Sequence, residues 1–271
     1  MNPVTTVYSS RELLWNFTLR ELRTKYRRSV LGWTWSMLNP LATFAIYWFV
    51  FGVVFPGVAP VGDPSGLESY ALFLLCGLIP WNFFALMCNL GLGAINGNAG
   101  LVRRVAFPRE ILVFANVLHA CVQFAIELTL MCLILLIAGS PLIPWLPVTL
   151  LVTVFLIMFG SGFALALGSL AVYFRDMAYL WTIVVQVWFF ATPIVYPPSY
   201  LADNESIPDW AVQMLEANPM AIFVGAYRNL LYDGTAPSLT TLATLALIGL
   251  ITLALGWALF LRLEPRFAEE V

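Results

Sequence analysis

Long apolar runs separated by short polar segments dominate the sequence from residue 38 onward. One helix of about 20 apolar residues crosses the ~30 Å hydrocarbon layer of a bilayer. The pattern predicts six spans, at about residues 38–55, 70–95, 111–138, 147–172, 179–196 and 239–261. We therefore expect an all-α polytopic membrane protein with six transmembrane helices.

The segment before the first span, residues 1–37, is charged and has a different periodicity. Ser9 and Glu12 have the spacing of a capping box, which begins a helix. At helical spacing the apolar side chains form one stripe, made of Trp15, Leu19, Leu22 and Tyr26. The pattern predicts an amphipathic helix that lies in the membrane interface. A solvated basic segment is the alternative.

The long segment between the fifth and sixth spans, residues 197–238, contains apolar stretches that are too short to cross a membrane. One begins near Pro208 and another follows Pro219, and proline is tolerated in the first turn of a helix. We expect a pair of short re-entrant helices at about residues 207–232, on the outer side of the membrane.

Composition supports a membrane protein, since 61% of residues are hydrophobic and 10% are charged, whereas soluble domains have about 45–50% and about 25%. The net charge of -2 argues against a nucleic-acid partner.

The charges are unevenly distributed along the predicted topology. All but one of the 13 basic residues fall on one side, namely Arg11, Arg20, Arg23, Lys25, Arg27, Arg28, Arg103, Arg104, Arg109, Arg175, Arg262 and Arg266. The positive-inside rule predicts that this side, with both termini and the tail 262–271, is cytoplasmic.

Motifs of enzymatic chemistry are missing from the sequence. The single lysine, Lys25, does not follow a glycine-rich phosphate loop, so the chain has no Walker A motif. It also lacks the H-E-x-x-H and G-x-S-x-G motifs. We expect that the chain is not an enzyme by itself, which favours transport.

A polar stripe interrupts the third span. Asn116, His119, Gln123 and Glu127 lie at steps that place them on one helical face. Ionisable groups inside a membrane are candidates for function, and a proton-coupled carrier that uses His119 and Glu127 is one hypothesis. Hydrogen bonding between helices is the other interpretation of the stripe.

Aromatic side chains recur at helical spacing in the first and fifth spans. The set consists of Phe44, Tyr47, Trp48, Phe51, Trp181, Trp188 and Tyr196. Aromatic belts at the membrane interfaces account for some of them, but Trp48 and Trp188 lie deeper. An aromatic face suits sugar rings, which stack through their C–H faces. Contact with lipid or with other helices is the alternative.

Small residues in the fourth span, from Gly160 to Gly168, predict close helix packing.

Several segments resemble known proteins. Residues 22–41, LRTKYRRSVLGWTWSMLNPL, resemble the N-terminal signature of ABC-2-type permeases that export polysaccharides. Residues 101–110, LVRRVAFPRE, resemble the loop between the second and third spans of that family. Shorter matches follow in order at 174–176, 192–196, 218–220 and 227–228, so the resemblance extends over nearly the whole chain.

The resemblance implies a homodimer of six-span subunits that is joined by two nucleotide-binding ATPase subunits, which would hold the ATP and Mg. This chain would need no cofactor. The loop 97–110 would couple the subunits through Arg103, Arg104, Phe107, Pro108, Arg109 and Glu110. Its short helix, at about Asn98 to Phe107, would dock on the ATPase, with Pro108 ending that helix. The first and fifth spans would line the channel, and the outer helices, with Asn218, Pro219 and Arg228, would cap its exit.

The substrate implied by the resemblance is a lipid-linked polysaccharide of O-antigen, teichoic acid or galactan type, attached to a polyprenyl pyrophosphate in a bacterial inner membrane. Arg27 and Arg28, with Arg103 and Arg104, would form a rim for the pyrophosphate, because arginine forks match phosphate oxygens. Attraction to membrane lipids or to the ATPase surface is the competing role. The rival functions are an ABC-2 permease for a drug or small lipid, the proton-coupled carrier, and a glycan-processing membrane enzyme.

Overall fold

The structure is a computed structural model that describes residues 9–25, 34–54, 60–197 and 208–271. Across these residues it is helical and contains no strand, which confirms the all-α expectation. The principal helices are α1 (Arg11–Lys25), α2 (Trp35–Trp48), α3 (Tyr70–Gly93), α4 (Ala99–Arg104), α5 (Glu110–Ile137), α6 (Leu146–Tyr173), α7 (Met177–Phe190), α8 (Asp209–Glu216), α9 (Pro219–Arg228), α10 (Leu239–Leu263) and α11 (Phe267–Glu270). Wider π-helical turns extend α2 over Phe49–Val54 and α9 over Asn229–Asp233. Single 3-10 turns at Asn96–Asn98, Ile143–Trp145 and Glu264–Arg266 connect other helices.

Four of the described helices, α3, α5, α6 and α10, are long and apolar enough to cross a membrane. They begin and end within two residues of the predicted boundaries. The helices at the first and fifth predicted spans are shorter, with apolar parts at Pro40–Val54 and Met177–Phe190. The fifth therefore ends before the predicted residue 196. It ends there because the chain turns at Thr192–Pro193, and proline cannot continue a helical hydrogen-bond ladder.

Helix α3 lies at the centre of the bundle. In its most apolar stretch 83% of the residues are buried, against 22% in α10, which is the most peripheral of the long helices. The sequence of α3 is apolar around nearly its whole circumference, as expected for a helix surrounded by other helices. Phe84 and Met87 of α3 are fully buried and pack toward Phe159 and Gly160 of α6.

Glycines allow α6 to approach its neighbours closely, as the small residues of the fourth span predict. A Cβ atom on Gly162 would collide with the backbone carbonyl of Thr252 in α10, and one on Gly256 would collide with the carbonyl of Gly162. On the other side of α6, a Cβ on Gly168 would lie 2.6 Å from the carbonyl oxygen of Gly91 in α3. Backbone contact of this kind is the packing that small residues permit in membrane helices.

Helix α1 packs against α5 through a face that matches the predicted stripe only in part, with the buried Leu22 common to both. Thr18 and Leu22 are buried and Phe17 is half-buried, whereas Trp15 is 58% exposed. The contact face is thus rotated by about one residue from the predicted one, and Tyr26 lies outside the described residues. The reason is that α1 binds protein on one side, a contact that helical periodicity alone does not distinguish from contact with lipid.

The close approach of α6 and α10 gives a testable prediction. We expect Gly162→Ala to lower the stability of the protein by roughly 1–3 kcal/mol, as is typical of overpacking. Gly225→Ala in α9 is the matched control, because nothing lies within 4 Å of a Cβ built there. Thermal unfolding of both variants in detergent provides the measurement. Equal melting temperatures for the two variants would contradict the proposed backbone contact.

Candidate functional sites

Residues 96–110 lie at the end of the bundle that also carries α1 and α11, which we call the basic end. In the short helix α4, Val102 is buried, while Arg103 and Arg104 are exposed. The extended residues that follow, Val105 and Ala106, are exposed as well. This segment therefore presents two guanidinium groups beside a small apolar surface.

Helix α1 holds this segment from one side. The Arg20 guanidinium donates hydrogen bonds to Asn98 Oδ1 at 2.7 Å and to Glu21 Oε1 at 2.6 Å. The rings of Phe17 and Phe107 pack with their centroids 5.9 Å apart, and the Arg20 guanidinium lies 4.9 Å from the Phe17 ring centroid. Sequence reasoning missed Phe17 and Arg20, because no local pattern pairs α1 with a loop some 80 residues away.

The short helix ends earlier than predicted. We expected a helix from about Asn98 to Phe107 that Pro108 would terminate, but α4 ends at Arg104 and Val105 is extended. The predicted end was wrong because a tertiary contact of Phe107 ends the helix several residues before Pro108. Phe107 leaves the helix to pack on Phe17, and the residue before a proline already disfavours helical geometry.

Arg109 connects the same segment to the C-terminal part of the chain. Its guanidinium donates to the backbone carbonyl of Glu264, and its backbone N–H donates to Glu264 Oε1 at 3.3 Å. Glu110 is buried at the first residue of α5, where the helix dipole favours a carboxylate. Arg109 thus joins segment 96–110 to the C-terminal part of the chain.

At the opposite end of the bundle, Asn218 caps α9 and joins it to the segment after α7. Its Oδ1 accepts hydrogen bonds from the Met220 backbone N–H at 3.0 Å and from Trp188 Nε1 at 2.8 Å. Its Nδ2 donates to the carbonyl of Ala191 at 3.0 Å and to Thr192 Oγ1 at 2.9 Å. Pro219 occupies the first turn of α9, where its missing N–H has no cost.

Arg228, at the other end of α9, is 4% exposed and bound by backbone carbonyls. It donates to the carbonyl oxygens of Pro193 at 2.5 Å, Ile194 at 2.6 Å and Phe73 at 3.4 Å. Its guanidinium carbon lies 3.7 Å from the Phe73 ring centroid, in a cation–π contact. Two of the three predicted gate residues, Asn218 and Arg228, therefore bind residues 191–194.

Further contacts bury the turn after α9. The Tyr232 hydroxyl lies 2.8 Å from the carbonyl oxygens of Pro60 and Leu67, and Ser140 Oγ donates to the Leu231 carbonyl at 2.6 Å. Partial burial raises the pKa of Asp233, and the nearby Arg228 charge opposes that rise. Two short helices, α8 and α9, thus lie within the predicted range 207–232, and α9 is part of the core.

The predicted aromatic set separates into two groups. On α2 and its π-helical extension, Trp48 is 53% exposed, while Phe51 packs on Tyr70 with their ring centroids 4.7 Å apart. On α7, Trp181 is 5% exposed, and Trp188 contacts Phe84 at 5.3 Å between ring centroids. The half-buried members are Phe44, Tyr47, Phe51, Trp188 and Tyr196. Within the described residues, no ring of the first group contacts a ring of the second.

The polar stripe of α5 is brought against α3. His119 and Gln123 are buried, Gln123 Nε2 donates to Glu127 Oε1 at 2.7 Å, and Asn116 Nδ2 donates to the Leu90 carbonyl at 3.0 Å. Gln123 and Glu127 also border a cavity of about 370 Å³ that the sequence analysis did not anticipate.

The predicted pyrophosphate rim consists of Arg27, Arg28, Arg103 and Arg104. Arg27 and Arg28 lie outside the described residues, so their relation to the site stays a prediction. Arg103 and Arg104 are exposed at the basic end.

Comparison with known proteins establishes the class of this chain. Residues 12–232 match the family model of the ABC-2 type transporter, and the chain belongs to this family. The resemblance found in the N-terminal signature and in the loop 101–110 is thereby confirmed.

Among characterised relatives, the chain is similar to polysaccharide export permeases. It is 30% identical to an O-antigen export system permease protein RfbA of Myxococcus xanthus, over 99% of this chain and 98% of the relative. It is 28% identical to an RfbA protein of Klebsiella pneumoniae, over 95% of this chain and 94% of the relative. A polysialic acid transport protein KpsM of Escherichia coli is 29% identical over 89% of this chain and 90% of the relative.

The carbonyl cluster around Arg228 gives a second prediction. We expect Arg228→Met to destabilise the protein, because each buried carbonyl left without a donor costs about 1–3 kcal/mol. Arg228→Lys should be less damaging, since an ammonium group still donates hydrogen bonds. Melting temperatures in detergent are the measurement, with Arg175→Met at an exposed position as the control. A parental melting temperature for Arg228→Met would contradict this role.

Proposed function

We propose that the chain is the permease subunit of an ATP-driven exporter that moves a lipid-linked polysaccharide from the cytoplasm across the bacterial inner membrane. The similarity to RfbA of Myxococcus xanthus over 98–99% of both chains carries this proposal. The similarity extends over nearly the whole length of a protein named as an O-antigen export permease. An ABC-2 permease for a drug or small lipid is the rival within the same family.

The proposed membrane arrangement has six spans, with both termini in the cytoplasm. The long helices α3, α5, α6 and α10 supply four of them. We assign the other two to α2 with its π-helical extension and to α7, which are apolar but shorter. The charge asymmetry supports this orientation, because the basic residues of the N-terminal segment, of the second and fourth predicted loops and of the tail fall on one side of the predicted topology.

We propose that the basic end docks on a separate ATPase subunit. The exposed Arg103, Arg104 and Val105 supply charge and apolar area at the end of a short helix, which suits a groove with acidic and apolar walls. Movement of this helix would be passed to α1 through Phe107 and to the C-terminal segment through Arg109. Two copies of this chain and two ATPase subunits, with ATP and Mg on the latter, complete the proposed transporter.

We further propose that α2 and α7 line the conduit and that α9 caps its exit. Trp48 is the most exposed member of the predicted aromatic set and supports a stacking surface for sugar rings. Asn218 and Arg228 would make α9 follow the end of α7, because both residues bind segment 191–194. A lipid pyrophosphate would enter beside Arg103 and Arg104, together with Arg27 and Arg28.

The function is tested by depleting the chain from its host. Cells should then retain lipid-linked glycan on the cytoplasmic side and lose surface polysaccharide, as fractionation and sugar analysis would measure.

The protein should copurify with an ATPase, and Arg103→Glu with Arg104→Glu should abolish this association. Arg175→Glu, an exposed arginine on another predicted cytoplasmic loop, is the control. Undiminished surface polysaccharide, or transport driven by a pH gradient alone, would refute the proposal.

The stacking role of α2 gives a separate prediction. Trp48→Ala should slow export several-fold while the amount of assembled transporter stays at the parental level, because this side chain is largely exposed. Ile46→Ala is the matched control, since Ile46 lies on the same helix and is 60% exposed. Loss of assembled protein in Trp48→Ala would assign the tryptophan to packing instead.

A further inference from the structure

Helix α3 is buried and apolar on most of its surface but presents a polar face in one direction. Asn82 and Asn89 are both exposed, and they lie seven residues apart, which places them two turns apart on the same face of the helix. Gly93 is exposed one turn further on. An amide that contacts hydrocarbon loses hydrogen bonds to water without replacing them, so this face is unsuited to lipid.

Helix α5 adds complementary groups to the same place. Gln123 and Glu127 border, with Asn82 and Asn89, a cavity of about 370 Å³ in the middle of the bundle. Its floor includes Phe83, which is buried and stacks on Phe124 with the ring centroids 4.1 Å apart. The cavity thus combines amides, a carboxylate and an aromatic floor between two long helices.

A hydrogen bond from Trp181 fixes the orientation of the Asn89 side chain. Its Oδ1 accepts a hydrogen bond from Trp181 Nε1 at 3.0 Å, so the amide oxygen is occupied. The Nδ2 group, with two donor hydrogens, makes no hydrogen bond with any described residue and borders the cavity. Trp181 therefore acts as a positioning residue for a donor that faces the cavity.

The cavity continues toward the basic end. Asn89 also borders a neighbouring cavity of about 490 Å³, whose walls include Arg20, Glu21 and Thr24 of α1 together with Asn98 and Asn116. Side chains that donate or accept hydrogen bonds therefore line both cavities, from segment 96–110 to Gln123 and Glu127. A path of this composition suits a ligand that is rich in hydroxyl groups.

We propose that this polar groove, defined by Asn82, Asn89, Gln123 and Glu127, binds the hydroxyl groups of the glycan during its passage. A sugar hydroxyl both donates and accepts hydrogen bonds, so it is satisfied by amide N–H groups on α3 and by the Glu127 carboxylate on α5. Glu127 and Gln123 also bond to each other, so the groove retains internal partners when no glycan is present. The inference rests on the proposed function and places a hydrogen-bonding wall in addition to the aromatic faces of α2 and α7.

Thiol labelling of the assembled transporter tests whether the groove contains water. Asn82→Cys should react with a charged, membrane-impermeant methanethiosulfonate, because such reagents require a hydrated thiolate. Leu250→Cys is the control, since Leu250 lies at the middle of α10 and is 54% exposed on an apolar helix. The unmodified chain, in which Cys76 and Cys88 are buried and Cys121 and Cys132 are half-buried, gives the background that is subtracted. An unlabelled Asn82→Cys that instead forms a disulfide with a second copy would assign the groove to a subunit interface and overturn the proposal.

Export measurements test the ligand. Asn82→Leu and Asn89→Leu should each reduce surface polysaccharide by about three- to tenfold, as expected for the loss of one or two hydrogen bonds. Asn82→Ser, which keeps a donor and acceptor, should retain most of the export. Parental export by both leucine variants would overturn the inference, and so would a loss of assembled protein that matches the loss of export. If the parent itself exports no polysaccharide, it is the proposed function that fails.

Discussion

The end of the bundle opposite the basic end depends on one buried guanidinium group. Arg228 lies among the backbone carbonyls of Phe73, Pro193 and Ile194, so a single side chain joins α9, α3 and the turn after α7. A charge in such a place is tolerated only where hydrogen bonds replace its hydration. The carbonyl groups of Pro193 and Ile194, in the turn that follows the end of α7 at Phe190, and the carbonyl of Phe73 in α3 supply those bonds. The turn after α7 therefore provides the acceptors that allow Arg228 to be buried.

The opposite end is organised differently, because segments distant in sequence meet there through exposed or half-buried groups. Arg20 and Phe17 of α1 contact Asn98 and Phe107, while Arg109 binds Glu264. Exposed ion pairs and ring contacts are individually weak, so this end is held less firmly than the opposite end. That difference is consistent with the proposed docking of an ATPase at the basic end.

Much of the fold was predictable, and so was the family. The boundaries of α3, α5, α6 and α10 follow from apolar length alone, because a helix in lipid must satisfy its own backbone hydrogen bonds. The signature around residues 22–41 and the loop 101–110 indicated an ABC-2 permease, and the family match agrees. The end of α4 and the contact face of α1 were predicted wrongly, since Phe107 and Thr18 are positioned by partners far away in the chain.

The sequence by itself determined which segments are apolar, which side carries the positive charge and to which family the chain belongs, because these properties depend on local composition and order. The tertiary structure decided what the isolated polar residues do. Asn218 and Arg228 form anchors, and Asn82 and Asn89 join Gln123 and Glu127 around one cavity. A polar side chain in an apolar helix has few partners within its own helix, so its role depends on which neighbouring helix packs against it.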